Sequence, residues 1–111
     1  YNVIIKRVIA TTGETVRIDY NLGEVEVDGK VTKEPYIKEQ MIDTGRFSEI
    51  FYDAENDCYE YDVPFGYVFV MGDNRNHSTD SREIGLVSED EILGKVVYRF
   101  YSAKAERGRV A

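Results

Sequence analysis

Carboxylates, guanidiniums, amides, hydroxyls and the chain's sole histidine are concentrated in one stretch, Gly72-Asp73-Asn74-Arg75-Asn76-His77-Ser78-Thr79-Asp80-Ser81-Arg82. It follows an apolar run, Tyr67-Val68-Phe69-Val70-Met71, that reads as a buried strand. A segment leaving such a strand must satisfy its own charges and backbone, and loops that carry so many specific hydrogen-bonding groups tend to build sites. The second candidate is Lys6, inside Val3-Ile4-Ile5-Lys6-Arg7-Val8-Ile9. Strand alternation puts Lys6 on the side of Ile4 and Val8. A lysine held against apolar neighbours loses hydration, and its pKa falls toward the range in which a neutral amine can act as a base.

Other chemistries are less well served. A nucleophilic Cys58 would need a histidine partner, and only His77 is available; a small residue half-buried in a strand is the simpler reading. His77 itself is accompanied by no nucleophile motif and reads as a solvated loop histidine. A calcium loop is contradicted by Arg75, which stands where the EF-hand pattern needs Asp or Asn, and by the lack of a central glycine. No zinc-ligand spacing is present, and no cofactor is implied. The net charge of -7 argues against nucleic acid, whose phosphates need a basic face. A single cysteine forms no internal disulfide, so packing must supply the stability.

The elements that must position Lys6 and the loop are short strands. The chain has 111 residues, 42% of them hydrophobic, with nine tyrosines, five phenylalanines and no tryptophan. That bounds it at one domain and favours strands. A first strand is expected over Asn2 to Ile9, a turn at Thr11-Thr12-Gly13-Glu14, and strands over Thr15 to Tyr20 and Glu24 to Val27. Asp28-Gly29 signals a two-residue hairpin, with Lys30 to Thr32 pairing back. Residues 36–57 alternate poorly and read as an inserted excursion with one or two short strands. Cys58 to Val63 alternates, and Pro64-Phe65-Gly66 turns into Tyr67 to Met71. Ser88-Glu89-Asp90-Glu91 reads as a capping box opening one short helix stopped by Gly94. A last strand is expected over Lys95 to Tyr101, then a polar tail over 102–111. The sum is a mainly β, antiparallel domain with one short helix.

Taken together, the two segments resemble the type I signal peptidases, membrane-bound serine proteases that cut signal peptides from exported proteins. In that family a strand ending in Lys-Arg-Val-Ile-Gly-Leu-Pro-Gly-Asp carries the catalytic lysine, and a Gly-Asp-Asn-Arg-x-x-Ser-x-Asp-Ser-Arg loop supports it. The second motif matches from Gly72 to Arg82. The first matches at Lys6-Arg7-Val8-Ile9 and departs at Ala10, Thr12 and Glu14. Glu34-Pro35-Tyr36 is similar to a third, short family segment. The resemblance implies a coiled antiparallel β-sheet domain of the signal-peptidase and repressor-peptidase type, with Lys6 as the base of a Ser/Lys dyad and Ser78 orienting it. It implies a loop brace of Asp80 and Arg82, joined by Arg7, with Asp73, Asn74 and Arg75 fixing the loop backbone and Gly72 allowing close approach or a positive φ. The substrate would be the signal-peptide region of exported preproteins, at the extracytoplasmic side of a cell membrane. The family's nucleophile segment, Ser-Gly-x-Ser-Met-x-Pro-Thr, has no counterpart here, and no apolar run approaches the ~20 residues of a spanning helix. The chain is therefore expected to be the C-terminal portion of such an enzyme, truncated at the N-terminus, inactive by itself and prone to self-associate. The alternatives are a self-cleaving repressor-type Ser/Lys peptidase domain and a non-catalytic β-domain that binds extended peptide.

Overall fold

The computed structural model describes residues 2–35, 37, 39–43, 45, 47–94 and 97–100; at 2–5, 93–94 and 97–100 the description is of backbone pairing. The chain builds β1 (Asn2–Ile5), β2 (Arg7–Ala10), β3 (Thr15–Asp19), β4 (Glu24–Val27), β5 (Lys30–Val31), β6 (Tyr52–Asp53), β7 (Cys58–Asp62) and β8 (Tyr67–Met71). A single helical turn, α1 (Ser81–Ile84), precedes β9 (Val87–Ser88), β10 (Ile92–Gly94) and β11 (Val97–Phe100). The strands form three antiparallel sheets, ordered β1-β11-β10, β2-β8-β9 and β5-β4-β3-β7-β6. The mainly β, antiparallel class is the one expected from the alternation and the aromatic-rich composition.

Period-two patterning explains the five-stranded sheet. Val16 and Ile18 of β3 are fully buried beside Val25, Tyr59 and Tyr61, while Arg17 on the other face pairs with Glu60 of the adjacent strand at 2.7 Å. The β4–β5 hairpin turns at Asp28 and Gly29, with φ of 51° and 84°, the left-handed pair that a type I′ turn requires. Strand β8 is apolar throughout because both of its faces are covered. Phe69 and Met71 enter the main core; Val68 and Val70 pack with Val87, Val8 and Ile92.

Two expectations are corrected. Asn2 to Ile9 is not one strand: the chain passes from the β1–β11 ladder to the β2–β8 ladder, and Lys6, at the crossing, belongs to neither. The Ser88 cap does form, its Oγ accepting from Asp90 N at 3.2 Å, but it opens only a 3₁₀ turn at Glu89–Glu91. Ile92 enters β10 at once and ends it. The helix is instead α1, capped by Asp80, whose carboxylate accepts from Arg82 N at 3.2 Å. Of the excursion, Met41 and Phe47 are core residues, Glu49–Phe51 is a 3₁₀ turn and β6 pairs with β7. Tyr36, the remainder of the expected last strand and the tail 102–111 lie outside the described residues.

Candidate functional site

Lys6 is carried by the crossing between two sheets, and the loop reaches it because β8 lies beside β2. Arg7 pairs with Met71, so the residues that follow Met71 emerge next to Lys6. The Lys6 side chain is buried, with the residue only 4% exposed, and its Nζ donates to Ser78 Oγ at 2.9 Å. Burial lowers the lysine pKa; the nearby Asp80 carboxylate opposes this and the Arg82 guanidinium adds to it. A lysine so placed gives up its proton more readily than one in water.

Gly72 forms one wall of the lysine slot. A Cβ there would lie 2.1 Å from Ser78 Oγ, 2.7 Å from Ser78 Cβ and 3.3 Å from Lys6 Nζ. The glycine is needed for close approach, and its φ is not positive. The two peptide groups that flank its Cα are both held. Gly72 N donates to Asp80 Oδ2 at 3.0 Å, and Gly72 O accepts from Arg75 Nε at 2.7 Å.

Behind the slot, Asp80 and Arg82 form an ion pair whose side chains are both fully buried, with Nε to Oδ1 at 2.9 Å and Nη2 to Oδ2 at 3.0 Å. Arg82 also donates to the Arg75 carbonyl at 2.7 Å and to Tyr20 Oη at 3.1 Å, and lies 4.9 Å from the Phe47 ring centroid. Burial works against its charge, but the bonds and attraction to Asp80 prevail and raise its pKa. Ser81, the first residue of α1, accepts from Val70 N at 2.9 Å and pins the loop's exit to β8.

Not every expected residue sits where the sequence reading put it. Arg7 does not join Asp80 and Arg82. It makes a two-pronged bond to Asp73 at 3.0 and 2.8 Å on the exposed rim. That bond holds the Asp73 carboxyl below its usual range. The Asn74 side chain caps nothing, and His77 is exposed. Arg75 is buried and holds the loop backbone as expected, but it also pairs with Glu34 at 2.7 Å. Sequence reasoning missed Glu34, Asn76, Tyr20 and Phe47 as loop supports. Asn76 accepts from Ile42 N at 2.9 Å and donates to Gln40 O at 3.1 Å. Only Glu34, in a short motif of little specificity, gave any signal. Among the described residues no group of His, Cys, Asp or Glu could hold a metal ion.

Chemically, this is a partly desolvated amine aimed by a hydroxyl, with a glycine wall and two buried ion pairs behind it. It can accept and return a proton; Ser78, itself buried, is badly placed to attack a polypeptide.

A family model described as signal peptidase, peptidase S26, matches residues 2–101. The chain is 40% identical over 103 residues to a signal peptidase I of Bacillus caldolyticus, covering 90% of this chain and 54% of that protein. It is 39% identical over 99 residues to a probable signal peptidase I-1 of Synechocystis sp., covering 89% and 43%. The chain thus spans about half the length of the curated relatives it matches. Its fold is similar to the crystal structure of a signal peptidase I from Enterococcus faecalis V583, with a TM-score of 0.57, 23% identity, and coverage of 89% of this chain and 92% of that one.

Proposed function

Since the chain belongs to the signal peptidase, peptidase S26 family, we propose that it supplies the general base of a serine endopeptidase that removes signal peptides from exported preproteins. Neutral Lys6 takes the proton of a serine hydroxyl as that oxygen attacks the scissile carbonyl, and returns it to the leaving amine. Lys6 then activates the water that releases the acyl group. Ser78 fixes the Nζ direction, and the Asp80–Arg82 pair holds the loop that carries Ser78 by the Gly72 N–H and the Arg75 carbonyl. The nucleophilic serine comes from chain outside these 111 residues, which span about half of the relatives' length. By the same likeness the enzyme is membrane-associated and acts on the extracytoplasmic side; no helix among the described residues is long and apolar enough to cross a membrane.

The observation that carries this reading is the buried 2.9 Å contact between Lys6 and Ser78. These 111 residues alone should leave a signal-peptide substrate intact. A longer protein carrying the upstream serine should cleave it, Lys6→Ala within that protein should abolish turnover, and Ser78→Ala should reduce it by about 10²–10⁴-fold, the usual range for a misplaced proton-transfer group. Cleavage by the 111 residues, or full turnover in Lys6→Ala, would sink the assignment.

A second reading, peptide binding by strand addition, is favoured by the position of β1 and β2, which among the described residues stand at the edges of their sheets. It predicts binding of extended peptide that survives Lys6→Ala. The same edges are the expected contact through which the 111 residues self-associate.

A further inference from the structure

We propose that Glu34 is a positioning residue for Lys6, acting through Arg75 and the Gly72 peptide from the far side of the loop. This rests on the reading of Lys6 as a base, and deepens it. The backbone at Gly72 is what places the slot wall against the ammonium: a Cβ built on it would lie 3.3 Å from Lys6 Nζ and 2.1 Å from Ser78 Oγ. Each of the two peptide groups flanking the Gly72 Cα is held by one member of a buried ion pair. Asp80, paired with Arg82, takes the N–H; Arg75, paired with Glu34, holds the carbonyl.

The two clamps differ in origin. Asp80 and Arg82 are both inside the loop, two residues apart. Glu34 comes from 41 residues upstream, after β5, and reaches Arg75 with both oxygens, Oε2 to Nη2 at 2.7 Å and Oε1 to Nη1 at 3.3 Å. The Arg75 side chain is wholly buried and that of Glu34 nearly so. Besides Glu34, the guanidinium bonds the Gly72 carbonyl and touches Met41 Sδ at 3.7 Å, both uncharged groups. A buried guanidinium without its carboxylate is costly enough to move. Where it moves, the Gly72 carbonyl loses its donor. Asn76 makes the attachment deliberate in geometry: its amide bonds the backbone at Gln40 and Ile42, fastening the segment that follows Glu34 to the same loop. Glu34, Gln40 and Ile42 thus form the outer half of a vice whose inner face is the lysine slot.

The expected consequence is that Glu34→Gln lets the wall relax, admits water to Nζ and returns Lys6 toward ordinary lysine behaviour. Asp80 and Arg82, the charges that act on Lys6 from the loop, are unaltered by this change. The test is an NMR titration of the Lys6 side chain in the 111-residue chain. At a pH below its midpoint, the neutral fraction of Lys6 should fall about threefold or more in Glu34→Gln. Val25→Ala, a core truncation in β4 that touches neither ion pair of the loop, should lower folding stability without changing that fraction. Should Glu34→Gln not fold, Glu34→Asp retains the charge with a shorter reach and should move the titration in the same direction. An unchanged Lys6 titration in a folded Glu34 variant, or an equal change in Val25→Ala, overturns the proposal. Full turnover of Lys6→Ala in the longer protein would instead overturn the base assignment, whatever Glu34 does to the titration.

Discussion

Burial gives the Lys6 charge a sign that stability should report. In the unfolded chain the amine titrates near 10.5, and in the folded chain lower. Between those values the unfolded state binds more protons, so stability rises with pH across that interval, and the penalty is full below the folded value. Tyrosines oppose this at higher pH. Burial, helped by the bond to Asp43, pushes Tyr59 up to about 12, and burial also raises Tyr61 and Tyr20. They keep their protons when folded and lose them when unfolded, so stability falls above about pH 10. Urea midpoints measured from pH 7 to 10 should climb in the wild type and lie flatter in Lys6→Met. The two ion pairs of the site make a second contrast. Asp80→Asn strands the buried Arg82 charge and should cost about 3–5 kcal/mol. Arg7→Gln loosens an exposed pair and should cost only about 0–1 kcal/mol. Denaturation at neutral pH compares them directly, and equal costs would contradict the burial argument.

At the level of elements, the loop closes tightly on Lys6 because a side chain is missing. Gly72→Ala would push a methyl group into Ser78, whose Cβ as well as Oγ lies too close, so the loop backbone must shift. Overpacking of this kind costs roughly 1–3 kcal/mol, and the same variant should lose the Lys6–Ser78 contact, which a crystal structure would reveal. How far these elements could be read beforehand depended on what fixes each one. Asp28-Gly29 was legible because its backbone demands are local, and β8 because both of its faces are apolar. Lys6 and Ser78 were found together through motifs, and they do meet. The excursion was not legible: its fixed points are backbone groups of Gln40 and Ile42 held by Asn76 and a Phe47 placed between Tyr20 and Arg82. Those are tertiary contacts without a sequence period. Helix α1 was missed although Asp80 and Glu83 have the spacing of a capping box, since four residues are too few to show helical periodicity.

Across the whole molecule, β1 and β2 stand at sheet edges among the described residues, and an edge strand is a template for pairing. The net charge of -7 opposes association, yet it is screened beyond ~8–10 Å at ordinary salt while strand pairing acts at contact. Light scattering over the micromolar range should find assemblies that grow with concentration; a monomer throughout would mean these edges are covered. The division of the first strand at Lys6 has a bearing on how such a chain tolerates change. In an unbroken strand, adding or removing one residue turns every later side chain to the opposite face. Here β2 is anchored separately, by Arg7 opposite Met71 and Val8 opposite Val70, and β1 answers to a different ladder. An insertion or deletion ahead of Ile5 would therefore spend itself in the β1–β11 pairing. The crossing works as a firebreak: the reactive amine keeps its aim while the stretch before it is free to drift in length.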